Sequence, residues 1–331
     1  MADIPSAAET DPLAARPLGR SGLATPPLAL GGNIMGWTAS EEASHAVLDR
    51  FTGAGFSLID TADVYSKWVP GHVGGESEAI IGRWLKRRGG RDRVLIATKV
   101  GGEIAAGEKG LSARHIKRAV EASLQRLQTD YIDLYQAHYE DPDVGFEETL
   151  GAFADLIREG KVRAIGLSNH EIGRFKAALD VARTHGLPRY ETLQPLYNLY
   201  DREPFERVFA PVCRAEGIGV ISFYALASGF LTGKYRSAED VSASRRQKSN
   251  RTYLTERGFR ILDALDQVAA ETGATQAQVA VAWLVAQPDL TAPIASATSV
   301  EQIDDLIAAV RLPLGAEALA LLDKASAYGP A

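Results

Sequence analysis

The chain carries one cysteine, Cys213, among 331 residues. No disulfide can form within it, which fits a reducing compartment. It has no long basic run: 36 Lys and Arg stand against 42 Asp and Glu, a formal net charge of −6. That balance argues against nucleic acid or an anionic membrane as the main partner. No apolar run approaches the ~20 residues of a membrane span. The opening MADIPSAAET lacks the basic-then-apolar order of a signal peptide. A soluble cytoplasmic protein is the expectation. Two further absences bear on chemistry. No G-x-G-x-x-G turn follows an early strand, and the first apolar run ends instead in ALGGNIMGW, so the fingerprint of a dinucleotide-binding open sheet is missing. The histidines (His45, His72, His115, His138, His170 and His185) form no His-x-His or His-Glu-x-x-His pair. A zinc site needs three or four ligands, so no metal is expected.

What is present is an alternation. Short β-branched or apolar runs fall near 27–31, 57–60, 93–98, 133–137, 162–167, 191–195, 219–223 and 290–294. Amphipathic stretches of helical length lie between them, such as SARHIKRAVEASLQRLQ and FEETLGAFADLIREG. No Pro/Gly/Ser-rich linker interrupts the cadence. Strand-helix units in this number predict a closed (β/α)₈ TIM barrel rather than an open doubly wound sheet. Residues 1–15 read as a flexible tail and 16–331 as a single domain. Gly19 and Gly22 flank a turn between short extended runs, a small N-terminal β-hairpin. The polar stretch 229–257 reads as a long loop after the seventh barrel strand.

In such a barrel the carboxyl ends of the strands share one mouth. The runs end in Asp60, Lys99, His138, Ser168 with Asn169, Gln194 and Phe223. Each has a bland reading. Asp60 and Asp63 could cap a turn, Lys99 could be a solvated strand end, and His138 a satisfied core histidine. Ser168 and Asn169 could N-cap the helix starting near Glu171, and Phe223 could be packing. The functional reading rests on their convergence on one rim.

Tyr65 discriminates. A free phenol has a pKa of about 10. A lysine cation close by is expected to pull it down, and a carboxylate would anchor that lysine. Asp60, Tyr65, Lys99 and His138 thus make a coherent proton-donating group beside a carbonyl oxygen, which invites hydride delivery from a reduced nicotinamide.

The motifs DTADVY (60–65), TKVG (98–101), DLYQAH (133–138), GLSN (166–169), LQPLYN (193–198), ALASGFLTGKY (225–235) and PIASATSVEQIDDL (293–306) resemble those of the aldo/keto reductases, in family order. The resemblance implies a barrel that binds NADP(H), sometimes NAD(H), across its mouth. It implies Tyr65 as general acid/base, with Asp60, Lys99 and His138 completing a tetrad. Ser168, Asn169 and Gln194 would hold the nicotinamide carboxamide. Phe223 stands where Tyr or Trp usually stacks on the ring. Leu226, Ser228, Gly229, Leu231 and Lys234 match the loop that closes over the pyrophosphate.

One segment departs from the pattern. Around the 2′-phosphate, where NADP-preferring relatives often carry Lys or Arg, this chain offers Ser296, Thr298 and Gln302. Arg245, Arg246 and Lys248 could compensate. NADP(H) is the expected cofactor, with NAD(H) open. Trp37 and Trp68 would line the substrate end, or merely pack their loop. The implied activity is oxidoreduction of an aldehyde, ketone or sugar carbonyl, with alcohol oxidation as its reverse. The alternative is a redox-sensing regulatory subunit of the same fold with little turnover. A P-loop reading of GFLTGKY fails on spacing and on Tyr235, and GLSNH lacks the final Gly of a nucleophile elbow. A Schiff-base aldolase using Lys99 would leave Tyr65 without a role.

Overall fold

The computed structural model describes residues 11–242 and 250–329. Eight short strands close into a parallel barrel. They are β3 (Ala29–Gly31), β4 (Leu58–Asp60), β5 (Leu95–Val100), β6 (Ile132–Ala137), β7 (Val162–Ser168), β8 (Thr192–Gln194), β9 (Gly219–Ser222) and β10 (Ala292–Ala295). Strand β10 pairs back onto β3 and closes the ring. The expected runs locate all eight, within a few residues at their ends. The (β/α)₈ barrel inferred from alternation is the architecture observed.

The period-two alternation of a strand sorts side chains between two environments. Ile59, Ile96, Tyr135 and Leu167 point outward into the belt packed under the helices. Leu58, Ala97, Leu134, Ala164, Ile221 and Ala292 point inward and fill the barrel floor. One step further toward the carboxyl ends, the inward positions turn polar. These are Asp60 on β4, Lys99 on β5, Gln136 on β6 and Gln194 on β8. The register holds them at one level: Lys99 stands opposite Gln136, and Ser168 opposite Gln194. Gly166, opposite Thr192, clears space inside this layer. A Cβ there would lie 2.1 Å from Thr192 Oγ1 and 3.2 Å from Gln136 Cγ.

The N-terminal hairpin is the antiparallel pair β1 (Arg16–Pro17) and β2 (Ala24–Thr25). Gly19 and Gly22 adopt the positive φ its turn requires, 63° and 76°. Leu18 and Leu23 from this hairpin join the floor cluster. The amino end of the barrel is therefore plugged with apolar side chains, and the carboxyl end is left for chemistry.

The helices begin where the sequence supplies caps. Ser40, Ser112 and Ser299 accept from the third residue of the helices Glu41–Gly53, Ala113–Leu127 and Val300–Val310. Thr275 and Gln278 form a reciprocal capping box. The segment after β9 is more ordered than a plain loop. A helical turn spans Ala227–Thr232, a short helix spans Ala238–Ser242, and a long helix starts at Glu256. Among the described residues, no helix is long and apolar enough to cross a membrane.

Candidate active site

The stretch Asp60–Tyr65 wraps the end of Lys99. The Lys99 ammonium donates to Asp60 Oδ2 at 2.6 Å, to the Thr61 carbonyl at 2.9 Å and to Tyr65 Oη at 2.8 Å. Its three N–H groups are all engaged, and the side chain is fully buried. The Asp63 N–H returns a bond to the Lys99 carbonyl at 3.3 Å. A buried ammonium is costly unless paired and fully hydrogen-bonded, and this six-residue stretch supplies that environment. Desolvation still lowers the Lys99 pKa, against the charge of Asp60, which raises it.

Asp60 is held on its other oxygen as well. Gln194 Nε2 donates to Oδ1 at 2.8 Å, and Gln136 Nε2 approaches the same atom at 3.4 Å. Neither Asp60 nor Asp63 caps the following helix, whose N-cap is Gly75. Asp63 is buried, and neither of its carboxylate oxygens is hydrogen-bonded to a described residue. Burial, then the charge of Glu78, pushes its pKa well up, which favours the neutral acid.

One electrostatic expectation is reversed. Lys99 was expected to bring the Tyr65 phenol down. Burial, then the negative charge of Asp60, instead pushes it well above its ordinary value. The ammonium is already neutralised by Asp60, so the phenol meets an ion pair rather than a free cation. Tyr65 is thereby kept protonated. Its oxygen accepts from Lys99, and among the described residues its own O–H has only Asp60 Oδ2, at 3.5 Å, as an acceptor.

His138 sits edge-on to Tyr65, with ring centroids 6.0 Å apart at 73°. Tyr139 stacks on its ring at 4.4 Å and 20°. Burial, then Lys99, holds the imidazole well below its usual pKa, so it is neutral. Its Nδ1 is buried without a hydrogen-bond partner among the described residues. An orphaned N–H is rarer than an orphaned acceptor, which favours the proton on Nε2.

These groups open into a cavity of about 1110 Å³ at the carboxyl end of the barrel. Asp60, Tyr65, His138, Ser168, Asn169, Gln194 and Phe223 line it near the reacting group. Leu226, Ser228, Gly229 and Lys234 line it along the turn after β9, and Ser296, Thr298 and Gln302 beyond β10. Leu231 does not reach it: this side chain is fully buried in the outer core. Trp68 lines the cavity, whereas Trp37 stands behind it, edge-on to Trp68 at 5.5 Å. Arg245, Arg246 and Lys248 lie outside the described residues.

Ser168 and Asn169 do not cap the next helix, Ile172–His185, whose N-cap is Glu171. Ser168 Oγ donates to the Gln194 carbonyl at 2.9 Å, and Asn169 Nδ2 to the His138 carbonyl at 3.0 Å. Ala227, Ser228 and Gly229 carry positive φ values of 46°, 58° and 93°. Such turns orient backbone N–H groups as anion cradles, and Lys234 lines the same wall.

Sequence reasoning missed Gln136, Tyr139, Tyr224 and Asp305. Gln136 was findable: it is a polar residue two places before His138 on the same face of β6. Tyr139 and Tyr224 directly follow residues already singled out. Asp305 gave no signal.

A parallel eight-stranded barrel with a charged, enclosed group at its carboxyl end has the arrangement of the TIM-barrel enzymes, whose active sites lie at that face. Residues 27–327 match the model of the aldo/keto reductase family, and the chain belongs to that family. It is 33% identical over 328 residues to Protein tas of Escherichia coli strain K12, covering 92% of this chain and 94% of that protein. Norsolorinic acid reductase B of Aspergillus parasiticus is 30% identical over 319 residues, covering 92% and 81%. A putative voltage-gated potassium channel subunit beta of Schizosaccharomyces pombe is 33% identical over 309 residues, covering 88% and 87%. The chain is an oxidoreductase of the NAD(P)H-dependent reductase type that defines this family.

Proposed function

We propose that the protein reduces the carbonyl group of an aldehyde, ketone or sugar, with Tyr65 giving the proton to the carbonyl oxygen, and runs the reverse oxidation of the alcohol. One observation carries the reading. Lys99 directs one N–H at the Tyr65 oxygen, which leaves the phenol's own proton for an acceptor in the cavity. His138, neutral and with Nε2 protonated, donates a second hydrogen bond to the same substrate oxygen. Together they stabilise negative charge developing there. Asp60 fixes the ammonium, and Gln194 and Gln136 fix Asp60. In the reverse direction Tyr65 takes the proton back.

The cavity fits a nicotinamide dinucleotide by size and by chemistry. Its volume exceeds the usual range for small-ligand pockets. Phe223 offers a ring face, Ser168 and Asn169 offer polar groups beside it, and the Ala227–Gly229 turn with Lys234 suits a pyrophosphate. A bound reduced nicotinamide supplies the hydride. We infer NADP(H) from the family, with NAD(H) accepted. The wall of Ser296, Thr298 and Gln302 contributes hydroxyls and an amide rather than cations.

The test is Tyr65→Phe. Removing a positioned acid lowers rate by roughly 10²–10⁴-fold, while cofactor binding, followed by fluorescence quenching, should be retained. Near-normal turnover in this variant removes Tyr65 from the mechanism. The wild-type rate on model aldehydes also separates an enzyme from a redox-sensing subunit, which would bind the dinucleotide and turn over very slowly.

A further inference from the structure

We infer that Tyr139 and Tyr224 form a two-phenol clamp at the cavity mouth, selecting an uncharged aryl carbonyl compound that carries a second oxygen function beside the reducible one. This rests on the carbonyl-reduction reading above and narrows it.

Trp68, Tyr139 and Tyr224 line the cavity yet remain 49%, 47% and 45% exposed. Large aromatic rings left half in water around a cavity mark a recognition surface. Trp68 meets Tyr65 edge-on at 6.1 Å. The stacking of Tyr139 on His138 puts its ring against the group that receives the substrate oxygen. Tyr224 sits at φ 59°, in the left-handed region that a bulky side chain rarely adopts. Asn198 Nδ2 donates to its carbonyl at 3.1 Å, and the Ala227 N–H does so at 2.8 Å. Those two bonds hold the strained residue in place.

Neither the Tyr139 nor the Tyr224 hydroxyl is hydrogen-bonded to a described residue. Tyr65, Tyr139 and Tyr224 line the same cavity, and Tyr139, stacked on His138, stands one ring away from Tyr65. Tyr65 and His138 take the oxygen that is reduced. An oxygen on the adjacent carbon falls to the two phenols, and the ring surfaces take a flat apolar body. Charge is excluded on physical grounds. Asp60 is paired with Lys99, His138 is neutral, and Val64, Ile34 and Thr38 complete this part of the wall. A substrate carboxylate would meet no described free cation there.

The experiment compares benzil with deoxybenzoin, its single-carbonyl analogue, and with diacetyl, its ring-free analogue. Variants are Tyr139→Phe, Tyr224→Phe, the double variant and Trp68→Ala. Each Phe variant keeps its ring and loses only a hydroxyl. The benzil-to-deoxybenzoin ratio of kcat/KM should fall about three- to tenfold in each, and further in the double variant. Taking the ratio across variants cancels the greater intrinsic reactivity of the diketone. Trp68→Ala should lower kcat/KM for benzil more than for diacetyl, and remove most of the fluorescence quenching by benzil.

A ratio unmoved in the double variant overturns the clamp. So does a wild type that favours carboxylated carbonyl compounds, or diacetyl over benzil, or that reduces other aldehydes but none of these probes. If Tyr65→Phe abolishes turnover while the ratio stays fixed, this inference fails and the carbonyl-reduction reading stands. If the wild type reduces no carbonyl compound with either nicotinamide, both fall.

Discussion

At the Tyr65 end of the cavity the polar groups are tied to charges, whereas near Gln302 they are tied mainly to neutral neighbours. Lys99 and Asp60 are a buried pair with every ammonium proton used. On the far wall, Thr298 donates through both its N–H and its hydroxyl to Gln302 Oε1, at 2.9 and 3.1 Å. Ser296 Oγ donates to Asn33 Oδ1 at 2.8 Å. Asp305 adds a charged side chain to that wall, accepting from Gln278 at 3.1 Å. A buried ion pair has one low-energy arrangement, because removing either partner strands a charge. Neutral hydroxyls and amides exchange partners, including ligand and water, at small cost. The reacting end should therefore respond steeply to mutation and the far wall weakly.

Lys99→Met tests the steep side. It leaves Asp60 buried without its counter-ion, with Gln194, Gln136 and the more distant Tyr65 hydroxyl as donors, and stability should drop by roughly 3–5 kcal/mol. Adding Asp60→Asn should restore much of that loss, because the stranded charge is gone. Urea denaturation of both variants measures it, and a double variant no better than the single one breaks the ion-pair account. Kinetics sharpen the same comparison. The Tyr65 phenol already titrates above its ordinary range, and a hydrogen bond donated to its oxygen, as Lys99 donates one, favours the ionised form. In Lys99→Met the alkaline limb of alcohol oxidation should move to still higher pH. A limb that does not move counts against the role of Lys99.

The next effect lies across the cavity. With hydroxyls and an amide in place of cations on the described far wall, the preference between NADPH and NADH should stay under about a hundredfold, or ~2.7 kcal/mol. Fluorescence titration of both cofactors reads this without turnover. A larger preference for NADPH would assign the work to cations elsewhere, with Arg245, Arg246 and Lys248 as the residues to replace first.

The legibility of the molecule follows the same division. The barrel was readable because each buried strand is a short apolar run bounded by an amphipathic helix. The reacting group was readable because Asp60, Lys99, His138 and Gln194 interrupt apolar strands at their ends, where only function or pairing explains a polar residue. That the Leu231 side chain is buried beneath its turn rather than in the cavity was not readable, because a motif position does not say which way a side chain faces. Tyr139 and Tyr224 were passed over because an aromatic residue after a strand is ordinarily packing. The sign of the Tyr65 shift was misread because Asp60 was taken only as the anchor of the lysine and not as a charge acting on the phenol. Burial and the Asp60 charge both act on the phenol, and neither is visible until the chain is folded.

The smallest effect belongs to His138 and is a matter of pH. Its folded pKa lies well below the ordinary 6.5. As pH falls through 6.5, the unfolded chain binds a proton that the folded imidazole does not. Stability is therefore full above that value and declines below it, by at most about 1.4 kcal/mol per pH unit. Other histidines contribute, so the useful quantity is a difference. The loss of unfolding free energy between neutral and mildly acidic buffer should be smaller in His138→Gln than in the wild type. The reduction rate of the wild type should meanwhile show no break near 6.5, since the imidazole keeps its single proton throughout that range. A break there, or an equal acid sensitivity in both proteins, would mean that the ring titrates freely. The stacked Tyr139 and the buried Nδ1 would then not be shielding it, and the contrast between a rigid reacting end and a permissive far wall would lose one of its supports.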